Sequence, residues 1–391
     1  MRVRIAILLL HAFLVQLAIN VAKPTLAYRA LEANIPVEYI GLLAGSFSIL
    51  PVLLALPIGR IADSRPTRGL VVAVALAMVV AGVGLLIASD SLFVLIIWSV
   101  LIGLGHLIGV LAGQLLIGRL APKDLDSWFG YYTLTAAAGQ GCGPLLVSAA
   151  ALHSGLPDTQ LLFAIFAAIA VFMIFAAIGA TPPAHELRAR DGAQPAETAR
   201  FSLADLRLPE GRARPVFTAI AISVVSLVAF DLMSVYLPVL GVERGIPASV
   251  IGALLALRAF STMASRVAIG PLIRRFDRER LMVVSTAIGA LGIASLIVPM
   301  PLVVVAICLT VAGFALGFAQ PLSMAQITLL APADRLGLWL AIRLGLNRLA
   351  QTILPAIMGI GAAVLGTGGV FAGSTAILVA AAGFAAVGRR S

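Results

Sequence analysis

Apolar residues run along this chain in long blocks, each broken by a short stretch of charged residues, Gly or Pro. The blocks are roughly 20 residues long, the length an α-helix needs to cross a hydrocarbon layer of ~30 Å. Barrel strands would instead alternate apolar and polar positions over ~10 residues. Twelve blocks are read, at 5–27, 38–60, 69–88, 92–118, 128–152, 160–180, 216–240, 248–272, 281–299, 301–327, 336–364 and 368–387. The first begins like a secretory leader, with Arg2 and Arg4 before an apolar run. It continues through Asn20 and Lys23 without a small-residue cleavage site and is read as a retained helix.

Composition points the same way. Of 391 residues, 61% are hydrophobic and 11% charged, against ~45–50% and ~25% in soluble domains. The formal charge of +10 is concentrated at loop ends on one side. With the N-terminus inside, twenty of the 27 basic residues fall in inner segments: Arg2, Arg4, Arg60, Arg65, Arg68, Arg119, Lys123, six arginines between 188 and 214, Arg274, Arg275, Arg278, Arg280, Arg335, Arg389 and Arg390. Only Arg29 and Arg244 fall in outer loops. This asymmetry predicts a multi-pass protein of the bacterial inner membrane with both termini cytoplasmic, and it accounts for the charge without nucleic acid. Cys142 and Cys308 lie inside apolar blocks and serve as small packing residues. Neither a disulfide framework nor a metal-ligand spacing is present, so no metal or cofactor is expected.

The chain is duplicated. NIPVEYIG (34–41) recurs as GIPASVIG (245–252), and LAP at 120–122 recurs at 330–332, so offsets of 211 and 210 residues are kept across distant segments. Residues 1–180 and 216–391 are read as two six-helix bundles joined by an Arg-, Ala- and Pro-rich cytoplasmic linker, 181–215. Two parallel halves with a site at their interface near the midplane is the plan of one large class of secondary transporters.

Twelve helices, the duplication and the long central loop resemble the major facilitator superfamily over the whole chain. GRIADSRPTR (59–68) is similar to that superfamily's G-x-x-x-D-R-x-G-R-R signature through Gly59, Asp63 and Arg68, with Ser64 and Pro66 departing from it. The matching loop of the second half, GPLIRRFDRER (270–280), has Arg274 where the acid would stand. GQGCGPLL (139–146) supplies the G-x-x-x-G-P core of the drug:proton antiporter motif through Gly139, Gly143 and Pro144, followed by Val147 and Ser148 in place of glycines. Ser99 stands where such antiporters carry an arginine, ahead of GLGHLIG (103–109). The resemblance implies the major facilitator fold and places the chain near the drug:proton antiporter branch. Closely spaced glycines also allow close helix approach, for rocking or for packing alone. Asp63 can form a conformational latch with arginines or a helix N-terminus.

VVSLVAFDLMSVYLPVL (224–240) holds the only one of 17 acidic residues that lies neither in a loop nor at a block end, Asp231. A charge at membrane depth costs ~2.5–3.5 kcal/mol on insertion scales and marks an ion pathway or a partner. At ~1.5 Å per residue from position 216, Asp231 sits past the midplane. Its position in the other half is Asn20. Gln16, Lys23, His106, Gln114, Arg258, Gln320, Gln326, Arg343, Asn347 and Arg348 reach comparable depth. Arg258 and Arg343 need an anion, either Asp231 or a substrate. The alternative for Asp231 and Arg258 is a permanent ion pair fixing helix packing. Lys23 has the option of snorkelling outward, and Arg348 of facing helix 12 or the cytoplasm. His106 suits a proton relay or a satisfied interhelical hydrogen bond. Tyr131, Tyr132 and Tyr236 are cavity candidates, whereas Tyr28 and Tyr39 read as interface anchors.

These residues predict a proton-coupled exporter of a small anionic or zwitterionic, drug-like organic compound. It would act as a monomer by alternating access, with Asp231 and His106 handling protons. Asn20, Lys23, Arg258, Gln320, Arg343, Asn347 and the three tyrosines would bind substrate. Gly59, Asp63, Arg68, Gly139, Gly143 and Pro144 would serve gating. A proton symporter importing an organic acid or sugar is the alternative. A membrane-embedded receptor or enzyme would need a nucleophile–base–orienter set, a metal cluster or a soluble domain, and the chain offers none, so it is not read as an enzyme. An ATP-driven pump would need G-x-x-x-x-G-K-[ST], which does not occur.

Overall fold

The computed structural model describes residues 2–54, 67–120, 125–151, 156–180, 211–331 and 336–387, and among these the blocks fold as helices, the only regular structure the described residues form. In chain order these are α1 (Arg2–Glu32), α2 (Val37–Ser46), α3 (Thr67–Ile87), α4 (Leu92–Leu120), α5 (Leu125–Ala150), α6 (Thr159–Ala180), α7 (Ala213–Glu243), α8 (Ala248–Arg275), α9 (Arg278–Ala294), α10 (Leu302–Leu316), α11 (Ala319–Leu330) and α12 (Leu336–Val387). Among the described residues, 8 helices are long and apolar enough to cross a membrane.

Elements and blocks do not correspond one to one. α10 and α11 share the block at 301–327, with the break at Gly317 and Phe318. α2 pauses at Phe47 and Ser48 before helix resumes. α12 spans the last two blocks and turns at Gly366, whose φ of 68° a residue with a Cβ rarely adopts. Outward faces carry exposed apolar side chains such as Phe172, Phe175, Val303 and Val364, as a lipid surround demands.

The duplication is visible at the level of single hydrogen bonds. After α1, Ile35 N–H donates to Ala30 C=O at 2.9 Å, and after α7, Ile246 N–H donates to Gly241 C=O at 2.8 Å, 211 residues on. Between these residues the chain turns through Asn34 (φ 53°) and Gly245 (φ 65°). Pro36 and Pro247 then start α2 and α8 with matching φ of −56°. Asn tolerates the left-handed region, whereas other residues with a Cβ pay ~1 kcal/mol or more. Gly245→Ala is therefore expected to destabilise the protein by about 1 kcal/mol, with Asn34→Gly close to neutral. Thermal unfolding of the two variants in detergent checks the contrast.

Helices α1 to α6 pack chiefly among themselves, as do α7 to α12. The two groups meet along α2–α12, α5–α8 and α1–α7. Glycines make the first two contacts possible. A Cβ on Gly41 would run into the Pro355 carbonyl, and one on Gly252 into the Pro144 carbonyl at 2.6 Å. Gly41 and Gly252 are 211 residues apart, as are Pro144 and Pro355. Gly45 lies against the Thr352 carbonyl, Gly359 against that of Glu38, and Ser148 Oγ donates to the Ser249 carbonyl. All these contacts sit toward the helix ends away from the chain termini. On that face Arg29 pairs with Glu32 (3.0 Å) and Asp90, and Arg244 donates to the Leu296 carbonyl at 2.7 Å.

Candidate functional site

Behind this seal the two groups enclose a cavity of about 210 Å³. α1, α4, α5, α7, α8, α11 and α12 line it, together with Phe47 and Gly317 at the pauses in helices. Most of its wall consists of residues in pairs 211 apart: Gln16 and Leu227, Ile19 and Phe230, Asn20 and Asp231, Lys23 and Ser234, Phe47 and Arg258, His106 and Gly317, Gln140 and Gln351. The rest, Ala259, Thr262, Arg266, Gln320 and Arg348, all come from the second half. The halves thus offer the same backbone positions with different chemistry. The first contributes mainly amides, an imidazole and one ammonium; the second contributes the carboxylate and three guanidiniums.

Asp231 lies about 27 Å along α7, a helix of about 46 Å, and faces the cavity. Its Oδ1 pairs with Lys23 Nζ of α1 at 2.5 Å, the side chains being 18% and 14% exposed. Lys23 also stands 4.4 Å from the centre of the Phe47 ring. Gln351 Nε2 donates to Asp231 Oδ2, and Arg348 Nη1 donates to Gln351 Oε1 at 3.1 Å. One polar chain therefore runs from Lys23 in the first half through Asp231 and Gln351 to Arg348.

A permanent Asp231–Arg258 pair was one of the alternatives, but both carboxylate oxygens are already engaged by Lys23 and Gln351. The Arg258 guanidinium lies over the Phe230 ring at 4.8 Å and has no hydrogen-bond acceptor among the described residues. Its backbone is held by Gly313, where a Cβ would meet the Arg258 carbonyl, just as Gly103 abuts the Phe47 carbonyl in the first half. Lys23 does not snorkel outward, and Arg348 faces the cavity. Across the cavity, Gln16 approaches His106 Nε2 at 3.2 Å, and Gln140 Nε2 donates to Gln16 Oε1 at 3.4 Å. Asn20 Nδ2 donates back to the Gln16 carbonyl at 2.9 Å.

Other expected site residues are placed elsewhere. Arg343 and Asn347 stand behind the wall, where Arg343 Nε donates to Ser323 Oγ at 3.0 Å and Asn347 Nδ2 to Ser223 Oγ at 3.1 Å. Gln320 joins that buried network, donating to the Ser223 carbonyl at 2.8 Å, and also reaches the cavity. None of the three candidate tyrosines is among the lining residues. Tyr131 is exposed beside Trp128, Tyr132 donates to the Val110 carbonyl at 3.4 Å, and Tyr236 is buried against Gly41 and Gly359. Gly139 and Gly143 seat α5 on α1, within one half, against the Phe13 carbonyl and Asn20. Pro144 does face the other half, through Gly252. Gly59, Asp63 and the Arg68 side chain lie outside the described residues. Arg266, Gln140, Gln351, Ser234 and Thr262 were missed. The repeat offset carried a signal for one pair, since it links Gln140 to Gln351 as it links Asn20 to Asp231.

The model of the Major Facilitator Superfamily matches residues 8–302 and 219–390. Among solved structures, a variant of the nucleoside transporter NupG superposes with a TM-score of 0.80 at 14% identity, covering 98% of this chain and 99% of that one. A D-xylose-proton symporter gives 0.77 at 14% identity, with 97% of each chain covered. A POT family transporter in complex with 5-aminolevulinic acid gives 0.77 at 14% identity, covering 98% and 95%. At such identities the likeness is one of fold. Comparison with curated protein sequences gives no match.

Proposed function

Because the chain belongs to the Major Facilitator Superfamily, we propose that it is a proton-coupled secondary transporter of a small organic anion, working by alternating access. The carrying observation is the Lys23–Asp231 pair, which crosses the two halves in a wall whose other charged residues are Arg258, Arg266 and Arg348. Residues 1–180 and 216–391 act as the rocking units, joined by 181–215. With both termini cytoplasmic in a bacterial inner membrane, the contacts at Gly41 and Gly252 close the outer face and leave the cavity to communicate with the cytoplasm. Its volume of about 210 Å³ lies below the ~300–1,000 Å³ of drug-sized pockets, which favours a small metabolite.

Electrostatics sets the sign of coupling. Ionised Asp231 holds Lys23 and repels a bound anion, whereas protonated Asp231 releases Lys23 and removes the repulsion. At ~8 Å and an effective dielectric of ~20 that repulsion is worth about 2 kcal/mol, a factor of about 30 in affinity. Proton and anion therefore assist each other's binding, and by linkage the effect is reciprocal. That is the logic of symport, and the site's electrostatics support it over export.

Proton antiport with export is the second reading, favoured by the G-x-x-x-G-P sequence at 139–144 and the Pro144–Gly252 contact it supplies. In antiport, protons and substrate compete. Proteoliposomes under an imposed pH gradient separate the two readings. Symport accumulates labelled small organic acids on the side toward which protons flow; antiport moves them against that flow.

A further inference from the structure

Arg258, Arg266 and Arg348 all line the cavity, and the Nε–H of each is buried without an acceptor among the described residues. The only carboxylate among the described lining residues has both oxygens occupied, by Lys23 and Gln351. Arg258 is 6% exposed, and its guanidinium lies over the Phe230 ring. Arg266 donates one bond, to the Thr133 carbonyl at 3.4 Å, and Arg348 one, to Gln351. With Asp231 and Lys23 cancelling, the described wall keeps three positive charges. Membrane-depth arginine cannot shed its proton, so the compensating charge has to arrive with the cargo.

The three cations are not bunched. Arg348 is tied through Gln351 to Asp231, and Arg258 stacks on the residue next to Asp231, so these two mark one end of the cavity. Arg266 follows Arg258 two helical turns later on the same stripe of α8, about 12 Å further along the axis and nearer the terminal face. Resting on the transporter reading above, we propose that the cargo is a short dicarboxylate. One carboxylate is held by Arg258 and Arg348, and the other by Arg266. A compact dianion such as a phosphate monoester would engage the first end and leave Arg266 unpaired.

The test is calorimetric binding to the purified full chain in detergent, using succinate, its monoamide succinamate, glycerol 3-phosphate and tetraethylammonium as probes. Succinate is expected to bind at least about 10-fold more tightly than succinamate, the scale of a lost charge-assisted contact. Arg266→Gln should reduce succinate affinity to that of succinamate while leaving succinamate unchanged. Its ligand-free melting temperature should hold or rise, because an unpaired charge has been removed. Equal affinity for succinate and succinamate, tighter binding of glycerol 3-phosphate, or an Arg266→Gln variant that loses stability and all binding together would overturn the proposal. If succinate binds with the expected preference but is not carried in proteoliposomes, the transport reading fails and the cavity stands as a dicarboxylate-binding site alone. If succinamate is carried and succinate is neither bound nor carried, the transport reading survives and this one is lost; carriage of tetraethylammonium instead would overturn both.

Discussion

Gly252→Leu is expected to slow transport by about 100-fold while leaving each bundle folded. The Cβ position on Gly252 points at the Pro144 carbonyl and at Ser148 of the other half, and both nearest contacts include backbone, which cannot swing aside. Overpacking of this kind costs about 3 kcal/mol in the state where the halves touch and nothing where they part, a population shift of about 100-fold. Gly41→Leu should act in the same direction through the Pro355 carbonyl, and the double variant more strongly. The check is a cysteine placed at the cavity residue Ser234, with Cys142 and Cys308 replaced by alanine. An impermeant thiol reagent applied from the face opposite the termini should label it readily in Gly252→Leu and slowly in the parent. Equal labelling would mean that these contacts do not hold that face shut.

Asp231→Asn should abolish accumulation driven by a pH gradient while preserving exchange of substrate across the membrane. Asparagine keeps the shape and can still accept from Gln351, but it cannot trade a proton. It also leaves Lys23 free, as protonation of the aspartate would. Anion affinity should therefore rise to a plateau, about 30-fold above that of the ionised parent, and lose its pH dependence. His106, expected to share in proton handling, also lines the cavity, so His106→Gln is the matching variant: it keeps the pH dependence of the parent if Asp231 carries the coupling and loses it if the imidazole does. A Lys23→Gln, Asp231→Asn double variant removes both charges at once. If the pair only fixed packing, that variant would lose stability and keep coupling; a coupling role predicts the reverse.

Much of this was legible in the residues, for reasons that differ by feature. Helix positions follow from runs of apolar residues, which lipid enforces directly. The 211-residue register follows from duplication, and its endpoint proved informative: the glycines closing NIPVEYIG and GIPASVIG are Gly41 and Gly252, the positions where the halves meet. Counting residues also singled out Asp231, Asn20 and Arg258 as sharing one level, and all three line the cavity. Depth along a helix, however, does not give its rotation. Arg343 and Asn347 share the level of the cavity but point into α11 and α7, whereas Arg348, a quarter turn away, faces inward. Side-chain reach was equally hidden. Lys23 could have extended to the interface, and only the position of α7 beside α1 shows that Asp231 is closer. Tyr236 was likewise a cavity candidate by its place in an apolar block, yet its hydroxyl sits against Gly41 and Gly359 at the seal.

The most direct measurement follows protons released or taken up when succinate is added to the purified protein in weakly buffered detergent solution near neutral pH. Net proton uptake by the parent, absent in Asp231→Asn, is the predicted result, since the bound anion's charge favours the protonated form of the nearby carboxylate. Proton release on binding, or uptake undiminished in Asp231→Asn, would contradict it.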